Sequence, residues 1–382
     1  MSVLIGTATD YADLLNQLDG FLTGTGMALS PSFVGVGTGT IAALGGSAGV
    51  AETITVTFTS ATAFGVVGSV SGALGAGVVG TAFSSTKVNL TVTAGSTAFV
   101  SGDVFTFAVT PPWISLRRVA GSEMIWEGPG NGGTDQILVG AKTFFDAGGD
   151  YYNWRLGGFT AYSAGAAFNQ QPGFPGGSGQ TNPSPVLNLW NGSIPFWFIA
   201  SGRRVIVVAK VSTVYVAAYL GFLESYTGPS AFPYPLVVGG SMNFQGAEPA
   251  AGSASWRWSA ASNNFPIPMN ITADYASQLL LRLPIGTWRG FDLTQGSPWG
   301  HIWPYQIGMQ DWRTNLDGSY SLLPIVLFDE TPNCYGELDG VVAVTGYQNA
   351  AEDTITVGRA VYVVVQNVNH TDKKSYFAVR MN

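Results

Sequence analysis

The chain has 382 residues, of which 46% are hydrophobic, 13% aromatic and only 10% charged, with 51 glycines. That length is enough for two or three domains with a proper core, and the composition is too apolar for intrinsic disorder. Sixteen Lys and Arg against 23 Asp and Glu leave a net charge of −7, which disfavours a phosphate backbone as partner. The tight basic pairs are Arg117-Arg118, Arg203-Arg204 and Lys373-Lys374. They are too few for a basic stripe, so no nucleic-acid partner is expected. Cys334 is the single cysteine, which excludes an intrachain disulfide and a thiolate metal cluster. His301 and His370 fall short of a three-histidine zinc site, and neither a metal nor a cofactor is expected.

The opening MSVLIGTATDYADLL has no basic leader and meets Asp10 and Asp13 early, unlike a secretory signal. Residues 9–22 carry the clearest helical signal. Leu14, Leu15, Leu18, Phe21 and Leu22 share one face, Thr9 can cap the start, and Gly20 and Gly24 mark the end. Residues 1–34 therefore read as a helix and linker.

From 35 to 110 the only charges are Glu52, Lys87 and Asp103. Alternation of apolar residues with threonine at 54–58 and 88–92, and more loosely at 104–107, predicts short strands between glycine-rich turns. This stretch reads as a small inserted β module.

Residues 111–382 read as one large β domain. Strands are predicted at 113–117, 136–144, 154–162, 195–200, 203–209, 213–223, 236–239, 279–283, 322–328, 340–347, 354–357, 360–368 and 375–380. The apolar run 205–223 carries Lys210 and alternates as strands do, so membrane insertion is not expected. Asn191-Gly192, Asp317-Gly318, Asp339-Gly340 and Val357-Gly358-Arg359 sit between apolar runs and predict hairpin turns. Residues 164–192 and 240–275 read as long loops. The fold class expected is all-β: an antiparallel sandwich or jelly-roll-like body with an N-terminal helix and an inserted β module.

Chemistry is sparse. Gly128, Gly130 and Gly133 match a dinucleotide fingerprint by spacing, but a strand-like run follows where the motif needs a helix. A wide loop between strands is expected there. Asp329 with Glu330, and Glu337 with Asp339, are the candidate acid/base pairs for sugar hydrolysis, although Asp339 is better explained by its turn. Cys334 with either histidine is a further nucleophile candidate, and a structural thiol is the plainer reading. No catalytic residue is assigned. The aromatics carry more weight. Trp256-Arg257-Trp258 puts two indoles on one side of an extended segment, and Trp288, Trp299, Trp303, Tyr305 and Trp312 follow. Three readings stay open for them: core packing, a subunit interface, and a platform on which sugar rings stack.

Three stretches taken together support a resemblance. They are IWEGPGNGGTDQILVGAKTF with DYYNWRLGGFTAY, PFWFIASGRRVIVVAKVSTVYVAAYLGFL with PYPLVVGGS, and YGELDGVVAVTGYQNAAEDTITVGRAVYVVVQNV with YFAVRM. They resemble virion structural proteins of tailed bacteriophages and prophages, encoded among tail and baseplate genes. The resemblance spans most of 113–382 and includes no active-site residues. It implies a chain made in the bacterial host cytoplasm and carried in the virion, with other virion proteins and further copies of itself as partners. A receptor- or glycan-binding protein that contacts the host surface, and a head-decoration protein, are the alternatives it leaves open. A β-rich chain without export signal or disulfides suits all three.

Overall fold

The computed structural model describes residues 2–23, 31–45, 52–109, 113–130, 137–175, 184–226, 235–243, 257–260, 264–265, 279–283, 285–292, 300–304, 322–329, 333–368 and 376–382. The fold is all-β and sandwich-like, with antiparallel sheets and one α-helix among the described residues. No described helix is long and apolar enough to cross a membrane. Two compact units divide the chain. Met1–Asp19, Ser115–Glu127 and Ile137–Asn382 form the first, and Gly20–Ile114 with Gly128–Gln136 the second.

Strand β1 (Ser2–Ala8) precedes helix α1 (Tyr11–Thr23). The cap is Asp10 and not Thr9: its Oδ1 accepts the amides of Ala12 and Asp13, each at 2.8 Å, so two of the orphan donors of the first turn are satisfied. Asp13 answers by accepting the Thr9 amide at 2.8 Å. Gly20 lies inside the helix rather than at its end. The predicted face is the buried one: Leu14, Leu15 and Leu18 are fully enclosed, and Phe21 and Leu22 nearly so. Two buried indoles hold the helix. Trp154 Nε1 donates to the Tyr11 carbonyl and Trp126 Nε1 to Asp19 Oδ1, both at 2.8 Å.

The second unit contains β2 (Ser32–Val34), β3 (Thr40–Gly45), β4 (Glu52–Phe58), β5 (Ala63–Gly68), β6 (Gly72–Val78), β7 (Ala82–Ser84), β8 (Val88–Thr93) and β9 (Val104–Val109). A five-stranded sheet in the order β2-β9-β4-β5-β6 and a three-stranded sheet β3-β8-β7 enclose one core. In β4 the alternation is literal: Ile54, Val56 and Phe58 point inward, while Thr53 and Thr57 are exposed. Phe58 stacks on Phe99 at 3.9 Å between centroids. Two of the few charges in this unit also turn inward. Asp103 accepts the amides of Val36, Gly37 and Val100 at 3.0–3.1 Å, and Glu52 accepts from Val70 and from the amide and hydroxyl of Ser71. These carboxylates close loops, with backbone N–H groups replacing water around them.

The first unit continues with β10 (Ile114–Val119), β11 (Glu123–Gly128), β12 (Ile137–Asp146), β13 (Tyr151–Phe159), β14 (Pro185–Leu189), β15 (Ile194–Ala200), β16 (Arg204–Val211), β17 (Val214–Phe222), β18 (Glu224–Ser225), β19 (Leu236–Gly239) and β20 (Met242–Asn243). It closes with β21 (Leu279–Arg282), β22 (Trp288–Asp292), β23 (Gly300–Trp303), β24 (Leu323–Phe328), β25 (Cys334–Ala343), β26 (Thr354–Val357), β27 (Ala360–Gln366) and β28 (Tyr376–Arg380). A six-stranded sheet runs β10-β11-β12-β13-β14-β20. A 14-stranded sheet runs β1-β15-β16-β17-β19-β21-β22-β23-β24-β25-β28-β27-β26, with β18 beside β25. The long sheet folds over its own core. Ile206, Val208 and Tyr219 from one half meet Val363, Phe377 and Val379 from the other. On the opposite face, Gly158 of β13 comes so close to Leu236, Val238 and Trp288 that a Cβ there would lie 2.8–3.0 Å from their side chains. Strands β16 and β17 are buried at nearly every residue. Their sequence is accordingly a nearly unbroken apolar run.

Turn chemistry behaved less simply than predicted. Val357-Gly358-Arg359 is a true two-residue hairpin, with Val357 paired to Ala360 and Gly358 at φ 60°. Asn191-Gly192 joins β14 to β15, which belong to different sheets, so it is a crossing and not a hairpin. Asp339-Gly340 lies inside β25, which starts earlier than the predicted 340–347 and ends at Ala343. There Ile325 of β24 faces the whole stretch 338–341, because Val326 pairs with Glu337 and Pro324 with Val342. The bulge falls where β25 passes from its partner β18 to its partner β28. Asp317-Gly318 lies outside the described residues.

Candidate functional site

The tryptophans named by the sequence do not form one platform among the described residues. Trp256, Trp299, Trp312 and Tyr305 lie outside them. Trp288, on β22, is 4% exposed and donates from Nε1 to the Gly173 carbonyl at 2.7 Å. It is a core residue. Trp303 ends β23, is half-buried, pairs with Val326 and precedes a cis peptide to Pro304.

Trp258 differs from both. It opens a 3-10 turn (Trp258–Ala260) and is not part of an extended strand at that point. Its ring meets Trp190 edge-on, at 5.9 Å and 74°. Both indoles are half-buried. Trp190 Nε1 bonds to the Ser193 carbonyl at 3.2 Å, and Arg257 Nε holds the Gly149 carbonyl at 2.9 Å. Sequence reasoning missed Trp190, which is far from the cluster in the chain. The only signal was its place beside Asn191-Gly192, where a turn exposes its flank.

The carboxylate candidates are dispersed as well. Asp329 is 5% exposed and accepts from Tyr335 Oη at 2.7 Å, from the amide and Nδ2 of Asn333 at 3.2 Å, and from Arg289. Burial, and then the bond to Asp329, push the Tyr335 phenol up. Glu337 accepts from Tyr226 Oη at 3.0 Å; burial, followed by this bond, pushes Tyr226 up to about 12. Asp339 pairs with the buried Arg204 at 3.3 Å. Glu330 and His370 lie outside the described residues. Cys334 is exposed at its place on β25, and partial burial raises its thiol. His301 pairs with Phe328, and Phe328 with Cys334. A whole strand separates the two backbones, about 10 Å at ordinary strand spacing.

The two basic pairs among the described residues are engaged too, and Lys373-Lys374 lies outside them. Arg117 meets Glu123 at 2.6 Å, Arg118 meets Asp19 at 2.9 Å, and Arg203 meets Glu224. A further ionic contact joins distant parts of the long sheet. Glu352, in the turn before β26 and at φ 74°, accepts from Lys210 Nζ at 2.6 Å and from Tyr215 Oη. The Lys210 bond, then the Tyr215 bond, hold the Glu352 carboxyl below the usual range. No group of three or more His, Cys, Asp or Glu among the described residues could hold a metal ion. Gly128 and Gly130 precede strand β12 with no helix described between, and Gly133 lies outside the described residues. The ionisable groups described here serve the scaffold. The half-buried Trp190–Trp258 pair is one aromatic surface among the described residues; the exposed Phe145, stacked on Tyr152, is another.

No protein-family model matches this chain, and no curated protein matches it.

Proposed function

We propose that the chain is a structural component of a tailed-phage virion, in the tail, the baseplate or a tail-associated appendage, and that it acts by assembly with further copies and with other virion proteins. One observation carries the reading: the carboxylates and guanidinium groups named above are engaged in helix capping, loop closure and strand-to-strand pairing, while large aliphatic side chains remain at the surface. Ile5, Val36, Val70 and Ile285 are each at least 60% exposed. Exposed aliphatic side chains on a weakly charged β scaffold suit burial against neighbouring subunits in a symmetric assembly. The resemblance of 113–382 to virion proteins supports the same reading. On it the protein has no hydrolytic activity of its own.

The test is location. Gold-labelled antibody against the chain should decorate purified particles at one structural position, and absence of the chain from particles would sink the proposal. Incubation with host lipopolysaccharide, capsule and peptidoglycan should give no cleavage. Cleavage abolished by Glu330→Gln or Glu337→Gln would replace the reading with a depolymerase. A second reading, adsorption to a host glycan, is favoured by the Trp190–Trp258 pair beside Arg257. It predicts that Trp258→Ala lowers adsorption while particles still assemble.

A further inference from the structure

Among the described residues, strand β1 is one edge of the 14-stranded sheet and pairs with β15 alone, from Ser2↔Ala200 to Ala8↔Ile194. One side chain of α1, Gln17, reaches its backbone at the Thr7 carbonyl at 3.4 Å. Alternate residues of an antiparallel strand turn their N–H and C=O groups to the same side, so half of the backbone groups of β1 point away from β15. Exposed edges of this kind recruit other strands unless they are kept short or carry charge. The other edges in the first unit are guarded. Strand β26 has four residues, with Glu352-Asp353 before it and Arg359 just after it; β20 has two residues; and β10 carries Arg117 and Arg118. Strand β1 has none of these devices. It spans seven residues, SVLIGTA, without charge or proline, and it leaves Leu4 39% and Ile5 60% exposed.

We infer that β1 is a subunit-joining edge that pairs antiparallel with β1 of a second copy of this chain about a two-fold axis at Ile5. The occupant follows from the strand's own pattern. With Ile5 opposite Ile5 of the second copy, Val3 faces Thr7, and Leu4 faces Gly6, a large side chain opposite none. Every opposed pair is then uncharged, and aliphatic and β-branched pairs across strands are favourable. An isologous contact of this kind also closes on itself, which caps the edge and stops further strand addition.

The inference rests on the assembly reading and can fail separately from it. Light scattering on the full chain at tens of micromolar should show a dimer or a multiple of one. Ile5→Lys, at an exposed position, should halve the mass without changing the circular dichroism spectrum or the melting temperature. In a Cys334→Ser background, Ile5→Cys should form a disulfide-linked dimer on mild oxidation. Directly opposed residues have Cα atoms about 4.5 or 5.5 Å apart, within the span a disulfide bridges. Leu4→Cys should form none, because Leu4 faces Gly6. A monomeric wild-type chain overturns the inference, and so does a dimer that survives Ile5→Lys and fails to cross-link through Ile5→Cys. Should antibody still label particles in that case, the assembly reading stands without it.

Discussion

Replacing Gly340 with alanine should destabilise the first unit far more than the same change at Gly358, although both glycines have left-handed backbones, at φ 70° and 60°. A Cβ in that region costs roughly 1–2 kcal/mol wherever it stands. At Gly358 nothing lies within 4 Å of the added atom, so the backbone cost is the whole effect. At Gly340 the Cβ would overlap Arg204 Nη2 and lie 2.8 Å from its Cζ. The guanidinium must move, yet Arg204 is 1% exposed and ion-paired with Asp339. Breaking a fully buried pair costs about 3–5 kcal/mol; because the Asp339 side chain is 30% exposed, Gly340→Ala should lose more than Gly358→Ala and at most about 4–7 kcal/mol. Urea unfolding followed by tryptophan fluorescence reads this directly, because every tryptophan except Trp113 falls within the ranges of the first unit. Equal losses at the two glycines would refute the claim that Arg204 packs against the bulge.

Burial makes Trp288→Ala a core deletion worth about 3–5 kcal/mol, whereas the half-buried Trp258 should cost markedly less on truncation; thermal unfolding of both variants separates them. Glu352 is held below its ordinary range by Lys210 and Tyr215, so its contribution is complete above that range and disappears as pH falls through it. With a side chain 43% exposed, the effect is at most about 1 kcal/mol, and Glu352→Gln should flatten the stability profile between roughly pH 5 and 3. In the second unit, the Val36 amide foremost, with those of Val100 and Gly37, lowers the Asp103 carboxyl. Acid or Asp103→Asn should therefore speed hydrogen exchange at those three amides ahead of the β4 amides, and unchanged exchange would contradict the assigned bonds.

Local pattern alone was enough for the elements whose faces differ. The strand predicted at 354–357 has those bounds in the structure, and α1 buries the face its spacing marked, because periodicity records which side meets the core; the fully buried strand 236–239 was legible instead as a short apolar run. Some elements without contrast escaped. Strand β14 is buried at every residue and β11 nearly so, so neither alternates; β22 follows its partner β21 across a tight turn, but its sequence WRGFD carries little strand pattern. Dipeptide chemistry was readable but ambiguous. Asp-Gly supplies a positive φ equally to a hairpin and to a bulge, and only the switch of β25 from β18 to β28 decided for the bulge. The candidate site followed the same rule. Residue types revealed a stock of indoles and carboxylates, whereas Trp190 reached Trp258, and Glu352 reached Lys210, only once the sheet had folded over. Pairing between strands is a free-energy choice among all edges present in the folded chain, and no local window of sequence contains that choice.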